Sequence, residues 1–130
     1  MSKRILVVDD DPVNRTLVEK LMQKENHDVI TASGGQCAID IYIESIASKP
    51  FDLIILDIKM PGVSGIDVLK TIRQDEDSRG IKYGYGNSIP IIMLTATRES
   101  WLDAFDMGCD DYIVKPFEHS QLINKVNEKL

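Results

Sequence analysis

Residues 5–12 read Ile5-Leu6-Val7-Val8-Asp9-Asp10-Asp11-Pro12, an uninterrupted apolar run that halts on three acids and a proline. The run is rich in β-branched residues, the pattern of a strand covered on both faces. Asp11 carries the side chain of a helix cap. Pro12 suits a first helical turn, where the N–H it lacks would have no partner. The stretch therefore predicts a buried strand passing straight into a capped helix, with two further carboxylates, Asp9 and Asp10, left at the junction.

The same unit recurs along the chain. Apolar runs at residues 5–8, 29–30, 53–56, 91–94 and 112–114 give five candidate strands. Between and after them, apolar residues fall at helical spacing: Val13, Leu17 and Leu21; Ala38, Ile39, Tyr42, Ile43 and Ile46; Val68, Leu69 and Ile72; Leu102 and Phe105; Leu122, Ile123 and Val126. Gly62 and Ser64 punctuate the passage from the third strand to the third helix. Alternating βα units make a parallel sheet with helices on both faces, and right-handed crossovers leave only a few orders. The prediction is an α/β, flavodoxin-like doubly wound (βα)5 sheet of strand order 2-1-3-4-5, with residues 1–130 as one domain.

Composition narrows the function classes. The chain of 130 residues is 43% hydrophobic and 28% charged, which supports a folded core and argues against disorder. Its 15 basic and 21 acidic side chains leave a net charge of -6, so no direct nucleic-acid partner is expected. No apolar run approaches the roughly 20 residues of a membrane span, and the run after Lys3-Arg4 is too short for a signal-peptide core. A cytoplasmic location without a membrane partner is the expectation. Cys37 and Cys109 lack any metal or redox spacing and are expected as buried, small apolar side chains. His27 and His119 stand alone and are assigned no chemistry. Residues 76–88, polar and Gly-rich, read as an exposed loop whose Tyr83 and Tyr85 either belong to a contact surface or, as is more common for tyrosines in such loops, are incidental.

In open α/β sheets the ligand site lies outside the carboxyl ends of the strands, at the switch point in strand order, here between the first and third strands. Asp9, Asp10 and Asp11 follow the first strand, Asp57 the third, Thr95 the fourth and Lys115 the fifth. Asp11 reads as the cap. The other three acids would crowd one cleft, where two unit charges about 4 Å apart repel by roughly 4 kcal/mol at an effective dielectric of 20. A protonated carboxyl or a bound cation relieves that repulsion, and an all-oxygen donor set without His or Cys suits Mg²⁺ or Mn²⁺, of which Mg²⁺ is favoured. Such ions commonly share phosphate oxygens, so the cleft implies phosphoryl chemistry. Asp57, alone on the central strand, is the candidate nucleophile; the Lys115 ammonium can pair with a transferred phosphoryl group and the Thr95 hydroxyl can donate to it.

These residues resemble the response-regulator receiver family of bacterial two-component signalling. The resemblance is carried by residues 5–11, by Leu56-Asp57-Ile58-Lys59-Met60-Pro61-Gly62-Val63-Ser64-Gly65, by Leu94-Thr95-Ala96 and by Asp110-Asp111-Tyr112-Ile113-Val114-Lys115-Pro116-Phe117. It implies phosphorylation of Asp57 by a histidine kinase or histidine phosphotransfer domain, with an undetermined downstream protein. It also implies that Asp10, Asp57 and the backbone carbonyl of Lys59 contact Mg²⁺ while Asp9 acts through water. Thr95 and Tyr112 become the implied switch pair, Lys59 and Thr97 the implied determinants of phosphoryl lifetime, and Lys115–Pro116 a cis candidate. Against the family pattern, the stretch from Thr95 to Gly108 is about two residues short and the loop at residues 76–88 is long.

Other readings fit less well. A haloacid-dehalogenase-type phosphatase would place its nucleophile after the first strand in an Asp-x-Asp pattern and normally carries a cap and a longer chain. A flavodoxin-like cofactor carrier would need a Ser/Thr/Gly phosphate loop where this chain has three acids. A phosphorylation-independent binding scaffold would have no use for the full set of Asp10, Asp57, Thr95 and Lys115.

Overall fold

Strands span Arg4–Val8 (β1), Asp28–Ala32 (β2), Leu53–Asp57 (β3), Ile91–Thr95 (β4) and Asp111–Val114 (β5) in a computed structural model that describes residues 2–96 and 106–130. Helices span Pro12–Lys24 (α1), Gly35–Ile46 (α2), Gly65–Ser78 (α3) and His119–Lys129 (α4). The sheet is parallel throughout, in the predicted order β2-β1-β3-β4-β5. The predicted helix carrying Leu102 and Phe105 lies outside the described residues, as does Thr97.

Every residue of β3 and β4 is buried, which is why their sequences run apolar without alternation. Side chains still alternate between faces. Leu6, Val8, Ile54, Leu56, Ile91 and Met93 pack with Ala38, Tyr42, Val68, Leu69 and Ile72 from α2 and α3. Ile5, Val7, Leu53, Ile55, Ile92 and Leu94 pack instead with Val18, Leu21 and Met22 of α1 and Leu122 and Val126 of α4. Helices thus cover both faces of the sheet. Among the described residues no helix is long and apolar enough to cross a membrane.

Several expectations are corrected. The predicted apolar face of α1 is not Val13, Leu17 and Leu21: Val13 is 74% exposed and Leu17 is also exposed, while Val18, Leu21 and Met22 are buried. The buried stripe follows i, i+3, i+4 spacing through Val18, and Val13 in the first turn falls away from it. On α2, Ile43 is exposed and Ala38, Tyr42 and Ser45 face the core. Cys109 is buried as expected, its thiol pushed up to about 12 by desolvation, but Cys37 is exposed on the outer side of α2.

The stretch at residues 76–88 is only partly a loop, because α3 continues through Ser78 and Glu76 is buried. Two of its residues, Glu76 and Tyr83, serve a network centred on Arg73. The guanidinium donates to Glu76 Oε1 (2.7 Å), Asp110 Oδ2 (2.9 Å), the Ile89 carbonyl (2.8 Å) and the Gly108 carbonyl (2.8 Å). It also lies 4.9 Å from the centre of the Tyr83 ring, and the Tyr83 hydroxyl donates to the Cys109 carbonyl at 2.6 Å. Tyr83 is therefore not incidental, whereas Tyr85 is 81% exposed.

Candidate functional site

From β1 the chain moves to one side, to β2, and from β3 it moves to the other, to β4, so a crevice opens between the carboxyl ends of the adjacent strands β1 and β3. Asp9 follows β1 and is fully buried; Asp10, beside it, is exposed. Asp57 ends β3 and is 5% exposed. Carboxylate oxygens of Asp9, Asp10 and Asp57 lie within 4.8 Å of one another. The Lys115 ammonium, arriving from the end of β5, is 3.1 Å from Asp9 Oδ2 and 3.3 Å from Asp57 Oδ1. Four residues from three distant stretches of the sequence therefore converge as the strand-end reading anticipates.

The remaining predicted residues surround this group. Thr95 ends β4, is buried, and its carbonyl accepts from the Lys115 N–H at 2.7 Å, tying the ends of β4 and β5 together. Tyr112 is partly buried against the cluster under α2 and α3. Lys59 is exposed two residues beyond Asp57. The Lys115–Pro116 peptide is cis. Asp11 caps α1, accepting from the Val13 N–H, as the sequence suggested.

One residue at the site escapes local pattern reading. An added Cβ at Gly65 would overlap the carbonyl oxygen of Asp57, and the Gly65 N–H donates to the Ile58 carbonyl at 2.9 Å. Only glycine lets the first turn of α3 lie against the backbone of the central acid. Ser64 and Asp67 form a reciprocal capping box that starts the helix at that point. The signal available in the sequence was a glycine immediately after a capping serine, which by itself does not name the atom it approaches.

Burial dominates the electrostatics of Asp57. Desolvation above all, opposed by the Lys115 charge and reinforced by the Asp9 charge, leaves its carboxyl pushed up from 3.8 to about 6. Between those values the folded chain holds a proton that the unfolded chain has released. Stability of the metal-free protein from this group is therefore full below 3.8 and is lost as pH rises through about 6. Asp57→Asn, which removes the charge at nearly constant shape, is expected to raise the urea midpoint of metal-free protein at about pH 7.5 and to give little gain at about pH 4. Equal gains at both pH values would contradict this assignment.

The donor set tests well against a hard divalent cation: three carboxylates converge, no His or Cys joins them among the described residues, and Asp10 is open to solvent. A lysine among the acids also provides a cationic partner for an incoming anion. Residues 5–127 match the response regulator receiver domain family. The chain belongs to the response-regulator receiver family.

This receiver domain is 38% identical over 126 residues to the transcriptional regulatory protein CpxR of Escherichia coli, covering 95% of this chain and 47% of CpxR. The chain thus spans about half the length of the curated relatives it matches. Among solved structures it is similar to the response regulator TrrA from Thermotoga maritima in complex with Mg²⁺-BeF (37% identity, TM-score 0.78, 98% of this chain and 99% of that one). It also resembles the receiver domain of the sensor histidine kinase PA1611 from Pseudomonas aeruginosa, which has a magnesium ion coordinated in its active-site cleft (27% identity, TM-score 0.79, 98% and 97% coverage).

Proposed function

We propose that residues 1–130 act as one receiver unit that accepts a phosphoryl group on Asp57 from a phosphohistidine, on a histidine kinase or a histidine phosphotransfer domain, and changes conformation to signal to a downstream protein. The observation that carries this reading is the convergence of buried Asp57 with Asp9, Asp10 and the Lys115 ammonium at the strand ends. A carboxylate oxygen of Asp57 forms the new O–P bond as the P–N bond breaks, and the departing imidazole nitrogen keeps the electron pair and takes a proton. Lys115 pairs with the phosphoryl oxygens, and the Thr95 hydroxyl donates to one of them. Asp10, Asp57 and the Lys59 carbonyl would hold Mg²⁺, or Mn²⁺ of the same class, with Asp9 acting through water. That cation supplies neutralisation of the charge gathered on the acids and the phosphoryl oxygens. The chain promotes only its own phosphorylation and dephosphorylation, in a cytoplasmic setting.

The cation assignment has its own test. Mg²⁺ binds the assembled cleft and not the unfolded chain, so it is expected to raise the melting temperature, and Asp10→Asn is expected to remove most of that rise. An equal thermal shift in the variant would refute Asp10 as a ligand.

Thr95 and Tyr112 form the proposed switch, the hydroxyl moving towards the phosphoryl group and the ring turning inward behind it. Lys59 and Thr97 set the lifetime of the acyl phosphate. The exposed Lys59 side chain can lie across the approach of an in-line water and pair with phosphoryl oxygens, while Thr97 offers only a short hydroxyl. Lys59→Asn is expected to release phosphate faster, because an amide positions water where the ammonium excludes it. An unchanged or slower rate in purified phosphoprotein would discard the shielding role.

A further inference from the structure

The two residues that flank Asp10 are held on all their oxygens. Asp9 Oδ1 accepts from the Asp11 N–H (3.0 Å), Asp9 Oδ2 from Lys115 (3.1 Å), and the Asp9 carbonyl from Arg15 Nη1 (2.9 Å). Asp11 Oδ1 accepts from the Val13 N–H (2.9 Å), Asp11 Oδ2 from Asn14 Nδ2 (3.1 Å), and the Asp11 carbonyl from the Arg15 N–H (2.9 Å). Arg15 therefore grips both neighbours of Asp10, one through its side chain and one through its backbone. Side chains on a helix lean towards its N-terminus, so a long side chain in the second turn of α1 reaches back past the cap to the loop.

We propose that Arg15 is a positioning residue for the cation site: its hydrogen bond to the Asp9 carbonyl locks the loop between β1 and α1 so that the exposed Asp10 carboxylate stays beside Asp57. The inference rests on the reading that Asp10 and Asp57 hold a divalent cation. Arg15 touches neither the cation nor the phosphoryl group in this scheme. Its effect has a sign that charge alone does not give. A guanidinium near three carboxylates repels an incoming Mg²⁺, so as a mere charge its removal would tighten Mg²⁺ binding. As a positioning group its removal loosens the loop and weakens binding, because an ordered ligand set binds with less entropy to lose.

Calorimetric titration of wild-type, Arg15→Gln and Arg15→Lys with MgCl₂ separates the two. Gln keeps a good helix former at the position while removing both the charge and the reach, so the fold is retained. Arg15→Gln is expected to raise the Mg²⁺ dissociation constant by about five- to tenfold, the scale of one hydrogen bond. Arg15→Lys, one bond shorter than Arg but still a donor, is expected to fall between the two. Mg²⁺ binding as tight as wild type or tighter in Arg15→Gln, or an equal weakening in Arg15→Lys, overturns the positioning role while leaving the cation site standing. A wild-type protein that binds no Mg²⁺ overturns the cation site itself, and the positioning role with it.

Discussion

Arg73→Ala is expected to lower the unfolding free energy by about 3–5 kcal/mol, the range for stripping one partner from a buried ion pair. The Arg73 side chain is 9% exposed, and its removal strands the Glu76 and Asp110 carboxylates and the Ile89 and Gly108 carbonyls together. Glu76 is the costliest of these, since its other oxygen is held by the Ile89 N–H and its side chain cannot turn outward without breaking that bond. The start of β4, the approach to β5 and the segment carrying Tyr83 all meet at this guanidinium, so the loss is shared by three parts of the fold. Arg73→Lys is expected to recover only a minor part, because one ammonium cannot reproduce a planar fork with four acceptors and a ring contact. Urea unfolding measures this directly. A loss below about 1 kcal/mol in Arg73→Ala would mean that the network is replaced by water without penalty.

Asp57→Asn is expected to abolish phosphorylation by a small-molecule donor, whereas Lys115→Ala keeps part of the phosphorylation and loses most of the conformational response. The difference follows from what each group does. An amide in place of the carboxylate has no nucleophilic oxygen of comparable strength, so no acyl phosphate forms. In the proposed reading Lys115 clamps the phosphoryl group, and a ligand shifts a two-state equilibrium only by its differential interaction with the two states. Without the ammonium, that difference shrinks although the covalent bond still forms. Label retained on another residue in Asp57→Asn would refute the first half, as read by mass spectrometry. Beryllofluoride-induced NMR shifts of wild-type size in Lys115→Ala would refute the second.

The central strands were legible because they are covered on both faces. β1, β3 and β4 read as unbroken apolar runs, and the acids and threonine that end them stood out for that reason. The edge strand β2 was read too short, at residues 29–30 rather than Asp28–Ala32, because its half-exposed residues interleave polar with apolar types. Strand order followed from chirality rules, and the site from the position of strand ends in that order. The convergence of Asp9, Asp10, Asp57 and Lys115 was therefore expected without reference to their contacts.

What stayed hidden depends on long-range packing. Arg73 sits in a helix of mixed charge and carries no local signal of its role, since its partners Ile89, Gly108 and Asp110 lie far along the chain. Gly65 was visible only as a glycine, because its approach to the Asp57 backbone is set by how α3 docks on β3. Arg15 lies within one local segment, but its bond to Asp9 requires a strand, a loop and a helix to be in place together. In α1 the apolar residues outnumber the buried positions, and period alone does not say which of them face the sheet.

The central claim, that Asp57 is the phosphoryl acceptor, is tested most directly by incubating the protein with acetyl phosphate and Mg²⁺ and locating the adduct by intact-mass and peptide mass spectrometry. The account predicts a single addition of about 80 Da on the peptide containing Asp57, lost when Mg²⁺ is chelated. No addition in the presence of Mg²⁺, or an addition on any other residue, would contradict it.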